Sequence, residues 1–302
     1  MNIAITGFSG FIGSHLLKLL REQGHRVICL SRDIRHLTDS YTFEEYFDDK
    51  IECKIDYFIH LASPNYDYCE DDSLKTGIID LTSEIVQKLS KYQCKYFIYF
   101  STAKVYGEPS LSYTSFTEQS LLNPISDYAK AKCEAEKYIQ EQSSKSEFKY
   151  IIYRLPMVYG SGMKSNIGNL FYIINKSLPF FYFKNTNELK KSFLSIDNIK
   201  KIITYNINNS SSINNQILNI TDSDSASLNE IIFSYKRVCN SNSIIFPLPT
   251  IIFNVFARFK IFQKLYGGFV IDSQKLQNII DLNILNISEG LTLLNDSMNN
   301  ND

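Results

Sequence analysis

The chain has 302 residues, of which 44% are hydrophobic and 21% charged, and its formal net charge at pH 7 is −1. This composition is typical of a globular protein with one large core or two domains, and it argues against intrinsic disorder. No basic stripe or run of like charge is visible, so neither a nucleic acid nor a membrane is expected as a partner.

The six cysteines, at positions 29, 53, 69, 94, 133 and 239, show no CxxC spacing and no cluster with histidine. No metal site is therefore predicted. Cys29 and Cys94 lie in or beside apolar runs, where a free thiol behaves as a small hydrophobe. Together with the absence of a secretory-signal pattern in "MNIAITGFSGFIG", this favours a cytoplasmic protein.

Short apolar runs alternate with helical stretches in the first half of the chain. Strands are expected at 2–6, 26–31, 56–62, 95–101 and 150–156, and helices at 11–24, 73–92 and 126–142. This order predicts an α/β fold with a Rossmann-like, doubly wound parallel sheet, in which ligands bind at the carboxyl ends of the strands.

The pattern changes after Gly160. An amphipathic helix ends before Pro179, "SFLSIDNIKKIITYNINN" predicts a strand leading into a helix, and 216–221 predicts another strand. We expect a dinucleotide-binding domain of residues 1–162 plus about 193–221. A smaller, mostly helical substrate-binding lobe is expected from about 163–192 plus 222–302. The apolar stretch 244–262 contains prolines and charges, so core of this lobe is favoured over an interfacial membrane contact.

Three glycines, Gly7, Gly10 and Gly13, follow the first predicted strand and begin the first predicted helix. In this context Gly7 allows a tight turn, Gly10 lets a pyrophosphate approach the backbone, and Gly13 lets the helix pack closely on the strand. N–H groups at the helix N-terminus would meet the phosphate charge. A plain glycine turn is the alternative, and the flanking strand and helix favour dinucleotide binding.

Tyr128 and Lys132 stand four residues apart in "YAKAK", on one face of a predicted helix. A lysine held there could lower the pKa of the tyrosine, which could then pass a proton to or from a carbonyl or alcohol oxygen. Spacing alone leaves a solvated surface pair as the alternative. His60, in "HLA", is expected to be structural.

The glycine motif, "HLAS" (60–63), "FSTAKVYGE" (100–108) and "YAKAK" resemble, in this order, the extended short-chain dehydrogenase/reductase family. "RLPMVYGSG" (154–162), "KKSFLSIDNI" (190–199) and "FVIDSQKLQNIIDLNILNISEGL" (269–291) are similar to its nucleotide-sugar 4-epimerase and 4-ketoreductase branch. The resemblance covers nearly the whole chain and is much less specific for substrate than for fold.

The resemblance implies a role for each matching residue. Tyr128 would be the general acid/base, Lys132 its pKa-lowering partner and ribose contact, and Thr102 a hydrogen-bond partner of the reacting oxygen. The implied cofactor-binding residues are Gly7, Ser9, Gly10, Phe11, Ile12, Gly13, Ser31, Arg32, Leu61, Ala62, Ser63, Tyr128, Lys132 and Pro156. The implied substrate-binding residues are Ser101, Lys104, Asn166 and Lys191. For Ser101, backbone capping at the strand end is the alternative, and for Lys191 a solvated charge.

Three positions depart from the family pattern. Ser31 and Arg32 stand where NAD-dependent members carry an acid for the ribose 2′-OH, so NADP is favoured over NAD, unless Asp33 supplies the acid. Met157 stands where the family often has a substrate-binding asparagine, so that contact is either missing or supplied by Asn166. Lys191 replaces an arginine and lacks its bidentate fork.

The preferred hypothesis is NAD(P)H-dependent reduction of the C4 keto group of a nucleotide-activated 4-keto-6-deoxy sugar, UDP-linked and acetamido-substituted, for surface polysaccharide synthesis. The alternative is a UDP-hexose or UDP-HexNAc 4-epimerase with tightly bound NAD. A non-catalytic NAD(P)-binding sensor or scaffold is disfavoured because Thr102, Tyr128 and Lys132 are all present. The resemblance also implies a homodimer paired through the helices near 73–92 and 126–142.

Overall fold

Each apolar run expected as a strand in the first half forms one in the computed structural model, which describes residues 1–33, 37–64, 75–112, 114–186, 188–209 and 213–299. Numbered along the chain, the strands are β1 Asn2–Thr6, β2 Arg26–Ser31, β3 Ser40–Thr42, β4 Tyr57–His60, β5 Tyr96–Thr102, β6 Ser115–Phe116, β7 Lys149–Leu155, β8 Met157–Tyr159, β9 Phe180–Phe183, β10 Lys191–Ser195, β11 Gln216–Asn219, β12 Ser225–Ala226, β13 Ile245–Leu248 and β14 Val270–Ile271.

The main sheet has seven strands in the order β11-β7-β5-β4-β1-β2-β3. Strand β1 pairs in parallel with β2 and β4, and β4 pairs in parallel with β5. The register aligns Thr6 with Leu30 and His60, and His60 with Tyr99, so these four strands end at one edge of the sheet. The predicted doubly wound α/β fold is confirmed.

The helices expected at 11–24, 73–92 and 126–142 are present with shifted ends, whereas the short helix Phe43–Phe47 was not expected from the sequence. The helices are α1 Phe11–Glu22, α2 Phe43–Phe47, α3 Leu81–Lys88, α4 Asp127–Ser143, α5 Asn166–Asn175, α6 Ile196–Asn208, α7 Leu228–Val238, α8 Thr250–Phe256, α9 Lys260–Tyr266, α10 Gln274–Ile279 and α11 Ile287–Asn299. A π-helical turn, Lys75–Asp80, leads into α3, and the first two residues of the predicted helix 73–92 lie outside the described residues.

Helix α4 illustrates why these sequences form helices. The Ser126 hydroxyl accepts a hydrogen bond from the Ala129 N–H at 3.3 Å and caps the helix, and Asp127 in the first turn complements the helix dipole. Ala135 and Ile139 then lie on the buried face, against the strands of the main sheet. The cap thus fixes where the helix begins, and with it the direction of the Tyr128 and Lys132 side chains.

The chain divides into two compact units. The first comprises Met1–Val105, Leu122–Arg154 and Asn206–Leu218, and the second comprises Tyr106–Leu121, Leu155–Tyr205 and Asn219–Asp302. Relative to the predicted domains, residues 106–121, 155–162, 193–205 and 219–221 fall in the second unit. The binding roles assigned to the two domains remain predictions.

The first unit has its core on the main sheet, where Phe58, Phe97 and Ile152 are fully buried. Cys29 and Cys94 are buried as expected, and the described cysteines are free; Cys69 lies outside the described residues. The buried thiols therefore act as small apolar side chains in this core.

The second unit combines helices with three small sheets, β12-β10-β8, β13-β9 and β14-β6. Its core is centred on Phe171 and Tyr235, whose ring centroids lie 4.0 Å apart. The prediction that 244–262 is core is correct only in part. Phe253 and Phe262 each pack 5.4 Å from the Phe183 ring, but other apolar side chains of this stretch are exposed.

Candidate active site

Two glycines of the turn after β1, Gly7 and Gly13, cannot be replaced without a steric clash. Gly7 has φ +67°, and a Cβ there would lie 2.8 Å from the Ala62 nitrogen. A Cβ on Gly13 would lie 2.1 Å from the Gly7 oxygen. Without a Cβ at Gly7, the chain after β4 can lie against this turn. Without a Cβ at Gly13, α1 can pack against the end of β1. The predicted roles of Gly7 and Gly13 in the turn and in close packing match this geometry.

Gly10 differs from the other two because it is exposed and has an ordinary φ of −78°. It is the N-cap of α1, with no side-chain cap and no acidic residue in the first turn of the helix. The positive end of the helix dipole is therefore not neutralised by a carboxylate of the helix's own first turn. Ser9 is exposed and Phe11 and Ile12 are half-buried beside it. This cradle fits the pyrophosphate of a dinucleotide.

A hydrogen-bond chain holds the end of β4 against the glycine turn. The Thr6 hydroxyl accepts N–H groups from Leu61 and Ala62 at 3.1 Å each, so its own proton is donated to His60 Nδ1 at 2.7 Å. His60 must then carry its proton on Nε2 and donate it to Thr82 Oγ1 at 3.1 Å. The expected structural role of His60 matches this arrangement, which positions Leu61 and Ala62 rather than reacting.

Burial of His60 lowers its pKa to about 3, with the Lys132 charge contributing in the same direction. The imidazole therefore stays neutral at physiological pH, which agrees with its role as acceptor at Nδ1 and donor at Nε2. Ser63, the last residue of "HLAS", is half-buried and hydrogen-bonds the Tyr128 side chain. The loop after β4 thus joins the glycine turn to the predicted catalytic tyrosine.

At the end of β2, Ser31 is half-buried, and Arg32 and Asp33 are exposed directly beyond it. The strand ends at Ser31, so the guanidinium and carboxylate follow it as consecutive side chains. Both alternatives for the ribose contact, Arg32 and Asp33, therefore stand at the expected edge of the sheet.

Tyr128 and Lys132 lie on the first two turns of α4. The Lys132 Nζ lies 5.9 Å from the centroid of the Tyr128 ring and 4.6 Å from that of Tyr99, and it donates a hydrogen bond to the Phe100 carbonyl at 3.0 Å. Lys132 is only 2% exposed, whereas Tyr128 is half-buried. The pair is not a solvated surface pair.

Burial changes the pKa of both side chains. It raises the pKa of Tyr128 to about 12, opposed by the Ser63 hydrogen bond. It lowers the pKa of Lys132 to about 7, opposed by the negative charge of Glu136. Near neutral pH the lysine therefore loses much of its positive charge, and the predicted lowering of the tyrosine pKa by Lys132 remains a prediction.

A buried ion pair next to Lys132 is not predicted by the sequence analysis. Arg154 binds Glu136 through Nε at 3.1 Å and through Nη2 at 2.6 Å, and both side chains are almost completely buried. The Ser101 hydroxyl also donates to Glu136. Two signals were available, because Glu136 repeats the four-residue spacing after Lys132, and Arg154 interrupts the apolar run "YIIYRLP".

Thr102 and Ser101 have different surroundings at the end of β5. Ser101 is buried and engaged by Glu136, whereas Thr102 is half-buried and accepts a hydrogen bond from the Lys104 N–H at 3.2 Å. The structure therefore places Ser101 in the core of the first unit. Thr102 and the half-buried Lys104 lie where the register brings the strand ends together.

Pro156, Asn166 and Lys191 belong to the second unit. Pro156 is half-buried before β8, and Asn166 is exposed as the first residue of α5. Lys191 is buried, with Nζ donating to the carbonyls of Lys264 at 2.5 Å and Leu265 at 2.9 Å, and burial lowers its pKa to about 8. Lys191 is thus not the solvated charge of the alternative interpretation, and its contact with a substrate remains a prediction.

The glycine turn, the loop after β4 and the Tyr128–Lys132 pair can be compared with known proteins. The model of the NAD dependent epimerase/dehydratase family matches residues 3–221. The chain belongs to this family. A nicotinamide cofactor follows from that membership, and the residues of the glycine turn fit it.

Relatives of this epimerase/dehydratase chain act on nucleotide sugars. This chain is 25% identical over 287 residues to a Vibrio cholerae UDP-glucose 4-epimerase, and the match covers 88% of this chain and 82% of the relative. Its fold is similar to that of a Thermotoga maritima UDP-glucose 4-epimerase solved with UDP-glucose, at TM-score 0.80 and 21% identity over 100% of this chain and 99% of that one. A human epimerase family protein solved with NADPH has TM-score 0.74 and 18% identity, over 98% and 99% of the chains.

Proposed function

We propose that this protein is a UDP-sugar 4-epimerase. The observation that carries the proposal is the likeness to a UDP-glucose 4-epimerase over 88% of the chain, which extends well past the glycine turn and the Tyr128–Lys132 pair. Comparison with known proteins thus favours the alternative hypothesis over 4-keto reduction, which the sequence alone had favoured.

A nicotinamide dinucleotide held by the glycine turn would supply reversible hydride transfer at C4 of the sugar, which inverts that centre when the hydride returns to the opposite face. The residues of the chain handle the proton. Tyr128, as the phenolate, takes the O4 proton while the carbonyl forms and gives it back as the alcohol re-forms, and Thr102 holds the same oxygen by a hydrogen bond. Because burial favours the neutral phenol, the proposal requires the phenolate to form when cofactor and substrate are bound. Lys132 lies beside the tyrosine, and its protonated form would stabilise the phenolate. The glycine turn holds the pyrophosphate, and Leu61 and Ala62 fix that turn.

Interconversion assays test this function directly. Purified protein is incubated with UDP-glucose or UDP-GlcNAc without added cofactor, and products are separated from substrates by ion-pair chromatography. We expect the C4 epimer to accumulate to equilibrium. Substrate that stays unchanged in both reactions, with cofactor-bound protein confirmed by absorbance, contradicts the proposal.

A second candidate, 4-keto reduction of a UDP-4-keto-6-deoxy sugar, is supported by a different observation. The raised pKa of Tyr128 keeps its phenol protonated, which is the form that donates a proton to a carbonyl oxygen. Stoichiometric oxidation of NADPH or NADH by the keto sugar, without epimerase activity, would establish this candidate instead.

The cofactor separates the two candidates. A 4-epimerase uses NAD and recycles it within each turnover. Arg32, next to the end of β2, instead suits the 2′-phosphate of NADP. We propose Arg32 as the residue that decides this preference. If Arg32→Ala weakens NADPH binding and leaves NADH binding unchanged, the preference for NADP holds; equal effects on both cofactors contradict it.

We also propose that the protein is a homodimer, as the family resemblance implies, pairing through the helices near 73–92 and 126–142. In the described part of the chain no helix is long and apolar enough to span a bilayer. A sedimentation-velocity mass near 70 kDa, twice the 34.9 kDa of the chain, would support the dimer. A mass of one chain at micromolar concentration would contradict it.

A further inference from the structure

The second unit carries an exposed apolar surface. We name it the aromatic face and define it by Phe181, Phe246, Ile251, Val255, Phe256 and Phe259, whose side chains are between 44% and 73% exposed. Scattered exposed hydrophobic residues need no explanation, but these come from one pair of strands and the helical segment that directly follows it. Exposed apolar side chains that are grouped in this way are typical of a surface that binds a protein, a membrane or a ligand.

The local structure explains why these side chains point outward. Strands β9 and β13 pair in parallel with Phe181 opposite Phe246, and the two rings lie 5.8 Å apart. Helix α8 follows β13 after Pro249 and is apolar around most of its circumference. Phe253 on one side of α8 packs on Phe183 in the core, which leaves Ile251 and Val255, four residues apart, on the outer side.

The aromatic face continues past α8. The Phe256 ring lies 6.1 Å from that of Phe259 and 5.9 Å from that of Phe262, which packs in the core. The outer aromatic rings are therefore anchored to the core by inner ones. A face supported in this way keeps its shape when it meets a partner.

The chain segments that build the aromatic face carry charge of one sign. Residues 231–271 contain five basic residues and no acidic residue, and residues 155–187 contain three lysines and no acidic residue. Arg258, Lys260 and Lys264 are exposed within the α8–α9 segment itself. Since the whole chain has a net charge of −1, its acidic residues are concentrated elsewhere.

We propose that the aromatic face docks on the surface of an anionic phospholipid bilayer. Apolar side chains with interspersed Lys and Arg are the chemistry of interfacial binding, in which rings enter the acyl boundary and cations meet the headgroup phosphates. Helices α8 and α9 have seven residues each, so the contact is peripheral. This proposal replaces the expectation that the protein has no membrane partner.

Charge distinguishes this occupant from a second copy of the chain. A two-fold interface formed by this face would bring Arg258 and Lys260 of both copies together, and no acidic residue of the segment 231–271 would compensate them. An anionic bilayer instead offers negative charge over the whole area of the face.

Vesicle co-sedimentation tests the proposal with the full-length protein. Vesicles of phosphatidylcholine with about one third phosphatidylglycerol are compared with phosphatidylcholine alone, at low and high salt. The charge variant is Arg258→Gln with Lys260→Gln, and its control is Lys145→Gln with Lys149→Gln, two exposed lysines of the first unit. The apolar variant is Ile251→Asn with Phe259→Ser, and its control is Leu121→Asn with Ile125→Ser, both exposed apolar side chains outside the face. Circular dichroism verifies that all variants are folded.

We expect the wild type and both controls to pellet with anionic vesicles and to be released by salt. The charge variant should bind about fivefold more weakly for each cation removed. The apolar variant should bind at least about tenfold more weakly, because two of the side chains that enter the acyl boundary are removed. Wild type that stays in the supernatant with anionic vesicles overturns the proposal, as does binding that neither variant changes. Equal binding to neutral vesicles also overturns it. Self-association abolished in the apolar variant, without vesicle binding, assigns the face to a second copy instead.

Discussion

The Lys132 Nζ lies 5.9 Å from the centroid of the Tyr128 ring, inside the protein rather than on its surface. Burial of Lys132 disfavours its ammonium form and therefore costs free energy of folding. Such a cost, in a pair of groups with shifted pKa values, favours a functional role for the pair. Burial of Tyr128 keeps the tyrosine protonated. These two shifted groups are the centre of the proposed proton transfer.

Tyr128→Phe tests the proton-transfer role. The variant loses one hydroxyl and keeps the ring, so we expect nicotinamide affinity within about twofold of wild type and a kcat reduced by roughly 10²-fold to 10⁴-fold. Cofactor titration by fluorescence and steady-state epimerisation measure the two effects. Tyr138→Phe, at a half-buried tyrosine on the same helix, is the matched control and should retain activity. Full activity in the Tyr128 variant would remove this residue from the mechanism.

Lys132→Met should stabilise the fold while removing activity. The folded-state pKa of Lys132 is lowered from 10.5 to about 7, so burial of the ammonium destabilises the protein as pH falls below 10.5, and the full cost is reached below about pH 7. At about 1.4 kcal/mol per pKa unit, the methionine variant should gain a few kcal/mol in the free energy of unfolding at pH 6, and less at pH 9. Urea unfolding at both pH values measures this. A variant less stable than wild type at pH 6 would show that the ammonium is satisfied by its surroundings.

Glu136→Gln should destabilise the first unit strongly. Removing the carboxylate leaves the buried Arg154 guanidinium without its ionic partner, a change that costs roughly 3–5 kcal/mol. Glu134→Gln, at an exposed position two residues earlier, should change the free energy of unfolding by less than about 0.5 kcal/mol. Chemical unfolding of both variants decides the matter, and equal effects would mean that the ion pair contributes nothing beyond a surface charge.

His60 should make the protein sensitive to acid. Its folded-state pKa is lowered from 6.5 to about 3, so its contribution to stability is complete above pH 6.5 and is lost as pH falls towards 3, where the unfolded state binds a proton and the folded state does not. From pH 7.5 to pH 5 this amounts to roughly 2 kcal/mol. His60→Asn should be less stable at pH 7.5, because the bonds to Thr6 and Thr82 are altered, but should lose about 2 kcal/mol less on acidification. Parallel pH slopes in the two proteins would refute the assignment.

Gly10→Ala and Gly13→Ala should separate cofactor binding from folding. A Cβ on Gly10 meets only the Gly7 oxygen at 3.2 Å, so this variant should unfold near the wild-type temperature but bind nicotinamide dinucleotides at least about tenfold more weakly. A Cβ on Gly13 lies 2.1 Å from the same oxygen, so that variant should also lose stability. Thermal unfolding with and without cofactor measures both, and normal binding by Gly10→Ala would exclude the cradle as the pyrophosphate site.

Much of the first unit follows from sequence because its elements are local and strongly patterned. β1 and β2 have the predicted bounds, and the helix carrying Tyr128 begins one residue after its Ser126 cap. Strand β3 was missed because Ser40–Thr42 is only three residues long and half-buried, without an apolar run to reveal it. β9 and β13 were missed as a pair because their partners are distant in sequence.

The site was predictable where one short segment carries the geometry, as in Gly7–Gly13 and "YAKAK". It was not predictable where partners are distant. Glu136 and Arg154 are 18 residues apart, and Lys191 binds carbonyls more than 70 residues away. The exposure of Ile251 and Phe259 was also missed, since hydrophobicity alone does not tell which apolar side chains a core has room to cover.

Retention of a C4 label tests the central claim most directly. UDP-glucose carrying deuterium at C4 is incubated with the protein and without added nicotinamide, and the product is analysed by mass spectrometry and NMR. An epimerase in which the same hydride leaves and returns gives UDP-galactose with deuterium still at C4. Absence of the epimer, together with transfer of label from deuterated NAD(P)H to a UDP-4-keto sugar, would contradict the account and establish the protein as a 4-ketoreductase.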